Sequence, residues 1–182
     1  MAVQMIDGPL KSALIAFDKD GAWVTNYEEQ GTVLGMDGGL LEIDMADDLM
    51  KQTERIASER GIDIDYEIST FDNSHANSML LTLTSIQGDA VKVLAASLGG
   101  GSFEIQKIDE CKVQMKGDYH ELLVWSHGDI ESELLGIKPT EAQFKCVEST
   151  DFKLYIFESF QPFDEVLKHH ITEYDDVYKV VN

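Results

Sequence analysis

The chain has 182 residues, 43% of them hydrophobic and 26% charged, and this composition excludes disordered and collagen-like proteins. Its 34 acidic and 14 basic residues give a formal net charge of -20, which disfavours nucleic acids and anionic membranes as partners because such a surface repels phosphate groups. No apolar run approaches the length that spans a bilayer, and the N-terminus lacks a basic region followed by an apolar core, so we expect no signal peptide and a cytoplasmic location.

The N-terminal part of the chain predicts one strand followed by helical segments. Residues 11–17 alternate weakly between apolar and polar positions and end in a turn sequence at residues 18–21. Residues 22–41 predict one or two helical pieces, with Gly31 between them and Gly38-Gly39 as the stop signal.

The clearest helical pattern runs from Asp44 to Arg60. Asp44 is a typical N-cap, acidic residues occupy the first turn, and Gly61 is a typical C-cap. The predicted apolar face consists of Met45, Leu49, Ile56 and Ala57. Residues 62–68 then alternate without a break between apolar and acidic side chains, which predicts a strand. The side chains predicted to face the core are Ile62, Ile64, Tyr66 and Ile68.

Short alternating segments after this strand predict an antiparallel block. They span residues 79–84, 90–96, 103–108 and 111–115. Helices before and strands after favour the α+β class, with a two-layer domain and a mixed sheet over residues 1–117.

The pattern changes after Gly117. Strands are predicted at residues 121–125, 143–148, 153–160 and 176–181, with helices at 129–135 and 164–170. This βαββαβ order predicts a small ferredoxin-like domain over residues 118–182. The strand at residues 153–160 carries large apolar groups on both faces, so we expect one face to be covered by another domain or another chain.

Three consecutive glycines, Gly99, Gly100 and Gly101, join two strand-like segments. Glycine adopts positive φ readily, and such a loop can direct backbone N–H groups towards a carboxylate or a phosphate. The alternative is a wide hairpin or bulge that binds nothing. The glycines alone leave both interpretations open.

A second candidate group lies in the polar loop of residues 71–78. His75 and Asn77 stand two residues apart just before a strand, so extended backbone would turn both to the same side of the sheet. There an imidazole and an amide could hold a carboxylate or a hydroxyl group, and Ser78 completes this candidate set. In the alternative, His75 closes the loop and Asn77 bonds to its own backbone.

Several segments resemble motifs in the beta chain of iron–sulfur-dependent bacterial L-serine dehydratases. Residues 97–105, Ser-Leu-Gly-Gly-Gly-Ser-Phe-Glu-Ile, resemble its Ser-h-Gly-Gly-Gly-x-h-x-Ile signature, in which h is apolar. Residues 61–67 are similar to a strand entry of that family, and residues 38–41 to the end of its first helical region. The resemblance runs from about residue 10 to about residue 125. It names a domain, the allosteric substrate-binding domain, which also occurs in some long-chain 3-phosphoglycerate dehydrogenases.

The motifs by which this family approaches its substrate are only partly present. The Ser-Ser-x-His-Thr loop of the family is absent from this sequence. The Gly-His-Gly-Thr-Asp segment aligns with residues 29–33, which keep Gly31 and Thr32 but have Gln30 and Val33 in place of the histidine and the aspartate. The His-Pro-Asn segment aligns with the loop described above, without its proline. The resemblance therefore implies substrate-binding roles for Gly31 and Thr32, although Thr32 also suits a helix N-cap.

The resemblance also implies the cofactor and the second domain. Cys111 and Cys146 are the only cysteines, too few to hold the family's 4Fe–4S cluster, so the cluster is expected on a partner alpha chain. By its position and order of elements, the segment 118–182 resembles a reduced ACT domain. Because the usual Gly-rich effector loop is missing from it, we expect a packing or dimerisation role for this domain.

These observations lead to two hypotheses about function. In the first, the chain is the beta subunit or beta domain of an L-serine dehydratase, a lyase that forms pyruvate and ammonia, and it shapes the substrate pocket of the alpha chain. In the second, it is a non-enzymatic regulatory module that binds an amino acid or a small anion. Either function is compatible with a homodimer or a heterodimer, and in both we expect the isolated chain to be catalytically inactive.

Overall fold

The computed structural model describes residues 2–29, 31–72 and 75–182. Gln30, which replaces the family's histidine, and residues 73 and 74 of the predicted polar loop lie outside the described residues. The chain divides into two compact units, residues 1–105 and 106–182. The domain boundary after residue 117 was predicted from the change of sequence pattern there, and it stays a prediction.

The first unit contains a mixed sheet, as predicted. Its strands are β1 (Leu10–Asp18), β2 (Asp63–Ser69), β3 (Ser78–Ser85), β4 (Ala90–Gly99) and β5 (Ser102–Ile108), whose last residues enter the second unit. Their order is β2-β1-β3-β4-β5. β1 pairs in parallel with β2 and antiparallel with β3, so the first strand of the chain lies inside the sheet and not at its edge.

One face of this sheet forms the core of the first unit. Because side chains alternate along a strand, the paired registers place Ile15, Tyr66, Leu81 and Val93 on the same face. Ile15, Leu81 and Val93 are buried, and Tyr66 is half-buried. The acidic residues of β2 are exposed on the other face, which confirms the alternation predicted for this strand. Ile68 departs from it, since 42% of its surface is exposed.

Helix α1 (Thr32–Leu40) runs through the two glycines that were predicted to stop it. The stop prediction was wrong because Gly38 serves close packing: a Cβ there would lie 2.3 Å from Sδ of Met50. The helix ends at Leu40, one residue after Gly39, and beyond it the Ile43 N–H donates to the carbonyl oxygen of Gly38 over 2.8 Å.

The helix predicted from Asp44 to Arg60 is shorter than expected. A 3-10 turn covers Asp48–Gln52, with Asp47 as its N-cap, and α2 spans only Thr53–Arg60. Asp44 was wrongly predicted as the cap because its carboxylate accepts a bond from the Ala46 N–H in a separate turn, at 2.8 Å. The predicted C-cap is confirmed, since Gly61 adopts a left-handed conformation with φ 67°.

The predicted apolar face of that helix survives only in its second half. Ile56 and Ala57 are buried and pack against Leu41. Met45 and Leu49 precede α2, and 79% and 42% of their surfaces are exposed.

The second unit has the predicted βαββαβ order. After β6 (Cys111–Met115) come β7 (His120–Ser126), α3 (Glu131–Ile137), β8 (Gln143–Glu148), β9 (Lys153–Ser159), α4 (Glu165–Thr172) and β10 (Val177–Val181). The sheet order is β10-β7-β9-β8, and each pair of neighbouring strands is antiparallel. This is the ferredoxin-like arrangement and it confirms the α+β class.

Both faces of β9 are buried. Tyr155 and Phe157 pack in the cluster that includes Leu134 of α3 and Ile171 of α4. Leu154 and Ile156 point to the opposite face and are also buried, at 0% and 2% exposure. No helix in the described ranges has the length and apolar character needed to cross a membrane.

Candidate functional site

The residues singled out by sequence gather at one end of the first sheet. There β1 and β2 end side by side, with Asp18 opposite Ser69. At the same end β3 begins and β4 finishes, and the Ser97 N–H donates to the carbonyl oxygen of Asn77 over 3.0 Å. The loop that carries His75 and the strand that leads into the glycines are therefore neighbours.

The loop of residues 75–78 is closed by its own hydrogen bonds. Nδ1 of His75 accepts the Asn77 N–H at 3.0 Å, and Oγ of Ser78 donates to the His75 carbonyl oxygen at 2.7 Å. This is the loop-closing role that was weighed against ligand binding for His75. Because Nδ1 accepts, a neutral imidazole carries its proton on Nε2, where it can still donate to a carboxylate. His75 is half-buried and Ser78 is buried.

The glycines form the exposed tip of the β4–β5 hairpin. Gly99, Gly100 and Gly101 all have positive φ, at 86°, 61° and 81°. A Cβ added at any of them would meet no heavy atom within 4 Å among the described residues. The turn thus needs glycine for its backbone conformation, and the space around it is open to a ligand or to another chain.

A second turn packs against the His75 loop. The Ala22 N–H donates to the carbonyl oxygen of Ala76 over 2.9 Å. Gly21 lies so close that an added Cβ would stand 2.9 Å from that oxygen and 2.9 Å from the carbonyl oxygen of Asp18. The connection that follows β1 is therefore part of the same end of the sheet.

Gly31 and Thr32 lie at the N-terminus of α1. Gly31 is the N-cap, with φ 74°, and Thr32 is the first helical residue, so the prediction of Thr32 as the cap is wrong. Gly31 provides no side-chain cap hydrogen bond, and the first turn of the helix has no acidic residue. Val33 lies near Tyr66, whereas Leu41 packs near Ile62, so the helix directs its N-terminus towards the end of the sheet described above. Among the described residues, no recorded contact joins Thr32 to His75.

A half-buried polar pair beside this region was not found from the sequence. Asp37 of α1 accepts hydrogen bonds from Tyr66 and from Thr53. Burial raises the pKa of Asp37, although both hydrogen bonds act in the opposite direction. The sequence did hold a signal for this pair, because Asp37 is the single charged residue of an otherwise uncharged, glycine-rich helical segment.

Aromatic rings support the same corner of the unit. Phe17 contacts Trp23 and Tyr27, with ring centroids 5.2 and 4.9 Å apart, and it also stacks on Tyr66. These contacts fix the connection between β1 and α1 against the sheet.

The thiols of this chain do not fit an iron–sulfur cluster. Cys111 is fully buried, its Sγ points at the Val147 carbonyl oxygen over 3.9 Å, and burial raises its pKa to about 11. Burial also raises the pKa of Cys146, so both remain neutral thiols at physiological pH. Within the ranges that the structure describes, no three His, Cys, Asp or Glu side chains could jointly hold a metal ion.

Comparison with known proteins identifies two curated relatives. No family model matches the chain. The chain is 28% identical over 124 residues to the probable L-serine dehydratase beta chain of Bacillus subtilis (strain 168), covering 68% of this chain and 56% of that protein. It is 25% identical over 111 residues to the L-serine dehydratase beta chain of Peptoniphilus asaccharolyticus, covering 60% and 50%. The chain thus spans about half the length of the curated relatives that it matches.

Proposed function

From the premise that this chain is a relative of L-serine dehydratase beta chains, we propose that it acts as the beta subunit or beta domain of such an enzyme. The reaction would convert L-serine to pyruvate and ammonia in a complex with an alpha chain. The observation that carries the proposal is the sequence match to two beta chains from different organisms.

In this proposal the end of the first sheet forms one wall of the substrate pocket. Nε2 of His75 donates to the substrate carboxylate or hydroxyl, and the amide of Asn77 adds a second polar contact. The open backbone of Gly99 to Gly101 allows the substrate or the alpha chain to approach closely. The N-terminus of α1 at Gly31 and Thr32, whose first turn lacks an acidic residue, favours an anion and offsets the net charge of -20 locally.

The 4Fe–4S cluster is proposed to lie on the alpha chain, where it would act as a Lewis acid on the substrate hydroxyl. The two neutral thiols described above give this chain no part in holding it. The isolated chain is therefore expected to form no pyruvate, even after anaerobic reconstitution with iron and sulfide.

The test is co-purification with an alpha chain encoded beside this one, followed by an anaerobic assay of pyruvate formation. His75→Ala and Gly100→Val should weaken L-serine binding or alpha-chain capture while the fold is kept. His169→Ala is the matched control for the first, because His169 is exposed on α4. Gly88→Val is the control for the second, because Gly88 also has positive φ and open space but lies in the β3–β4 turn. Equal behaviour of all four variants would contradict the proposed pocket.

A non-enzymatic regulatory module is the second candidate. It is favoured by Gln30 and Val33, which stand where the family motif has a histidine and an aspartate. The second unit would then act as an ACT-like packing or dimerisation element. Binding of L-serine by the isolated chain, without any alpha chain to capture, would support this function over the first.

A further inference from the structure

A cavity lies at the other end of the first sheet. Its volume is about 520 Å³, and it is lined by the N-terminal 3-10 turn (Ala2–Met5), the start of β1, the ends of α1 and α2, and the β3–β4 turn. Its apolar walls include Ile6, Leu10, Leu40, Ile62 and Ile86. Leu10 and Asp18 are the two ends of β1, roughly 26 Å apart at the usual rise of a strand. This cavity is therefore separate from the proposed substrate wall.

Two opposite charges line this cavity without pairing. Arg60 and Glu42 both contribute to its lining, yet neither forms an ion pair among the described residues. Nη1 of Arg60 donates to the carbonyl oxygen of Leu41 over 2.8 Å, which leaves further N–H donors on the guanidinium. The chain's other arginine, Arg55, differs because it is bonded to Glu59 and Gln52 on the surface of the same helix.

The backbone holds these two charged residues close together. The carbonyl group that anchors Arg60 belongs to Leu41, and the next residue is Glu42. Glu42 has a left-handed backbone with φ 56°, at the turn that ends α1. A residue with a side chain is strained in this conformation, and glycine is the usual occupant. Glu42 and the anchored Arg60 thus both line the same apolar cavity, one with a carboxylate and the other with a guanidinium.

We propose that this cavity binds an α-amino acid with an aliphatic side chain. Arg60 would take the carboxylate, Glu42 the ammonium group, and the apolar walls the side chain. The two charges of a zwitterion match Arg60 and Glu42. A ligand with only a carboxylate would be repelled by Glu42, and a ligand with only an amine would be repelled by Arg60. A short polar amino acid would leave the apolar walls in contact with water.

The test is calorimetric titration of the whole chain with L-leucine. We expect saturable binding that Arg60→Met and Glu42→Gln each weaken about tenfold or more, the usual effect of losing a charge-assisted contact. Arg55→Met is the matched control and should bind as the parent does, because Arg55 lies outside the cavity. 4-Methylpentanoate, which lacks the ammonium group, and 3-methylbutylamine, which lacks the carboxylate, should both bind more weakly than L-leucine.

Two results would overturn this inference. One is the absence of saturable binding of L-leucine at millimolar concentrations. The other is equal affinity of L-leucine for the parent and for Glu42→Gln, whose exposed side chain can be changed without loss of the fold. His75→Ala should leave L-leucine binding unchanged, so failure here and failure of the proposed substrate pocket are distinguishable.

Discussion

The hydroxyl of Tyr66 donates a hydrogen bond of 2.6 Å to Oδ1 of Asp37, and this contact joins β2 to α1. The same hydroxyl also reaches the carbonyl oxygen of Val33, at 3.3 Å. Burial raises the pKa of both groups, and for Tyr66 the neighbouring carboxylate adds to the effect. The pair therefore consists of a neutral phenol and a carboxylate that the fold only partly protects from water.

Tyr66→Phe should destabilise the chain and raise the pKa of Asp37 further. The substitution removes the hydroxyl whose hydrogen bond lowers the pKa of Asp37, and it leaves the Asp37 carboxylate with one donor fewer. We expect a decrease of about 1–2 kcal/mol in the free energy of unfolding, by urea denaturation, because the site is only half-buried. NMR titration of Asp37 would measure the pKa. Tyr119→Phe is the control, because Tyr119 lies in the second unit against the ring of Phe160. An unchanged pKa of Asp37 in Tyr66→Phe would contradict the prediction.

Glu121→Gln should make the second unit less sensitive to pH. Glu121 stands directly opposite Glu158 in the β7–β9 pair, and burial, then repulsion from Glu158, raises its pKa above 4.5. Because the folded state binds this proton more tightly than the unfolded state, stability is fully present below pH 4.5 and is lost as pH rises through the raised pKa. In Glu121→Gln the free energy of unfolding, measured by denaturation at a series of pH values from acid to neutral, should no longer show this decrease. Glu141→Gln, at an exposed position, should leave it in place.

Cys111 should resist thiol reagents until the chain unfolds. Its pKa of about 11 leaves only about one thiolate in a thousand at pH 8, and the side chain is fully buried. Labelling with a disulfide reagent should therefore be slow in the native chain and complete in denaturant. In Cys111→Ser the remaining signal reports Cys146 alone. Rapid native labelling that this substitution abolishes would refute the assignment.

Glu42→Gly should stabilise the first unit. Glycine relieves the strain of φ 56°, which is worth about 1 kcal/mol. Asp109, with φ 49°, is the comparison, and Asp109→Gly should gain less because aspartate tolerates this conformation better. Thermal unfolding of both variants checks the order of the two gains.

The elements of the second unit could be predicted because each has a clear local pattern. The short continuous apolar runs of β7 and β9 and the Asp164 cap of α4 are visible in the sequence alone. The first unit was harder, since Asp44 and Asp47 are equally good caps by type and only packing decides between them. Gly38 has the sequence pattern of a helix stop, and only the structure shows that the Met50 side chain packs against it.

The candidate site could be predicted in its location more than in its detail. Sequence brought together the loop of His75 and the glycine hairpin, and the pairing of Asn77 with Ser97 places them at one end of the sheet. The loop-closing bond of His75 and the Asp37–Tyr66 contact depend on distances that no spacing rule contains. The roles of these residues in binding stay predictions.

The position of β1 has a consequence for how the chain is made. Ser12 pairs with Asp63 on one side and with Thr84 on the other, so β1 has no partner strand while it leaves the ribosome. Its apolar segment, residues 13–17, stays uncovered until both later strands have been synthesised. Contacts so distant in sequence form slowly, and an unpaired apolar strand readily associates with other chains. Nascent chains that stall before β3 would therefore depend on chaperones to remain unaggregated.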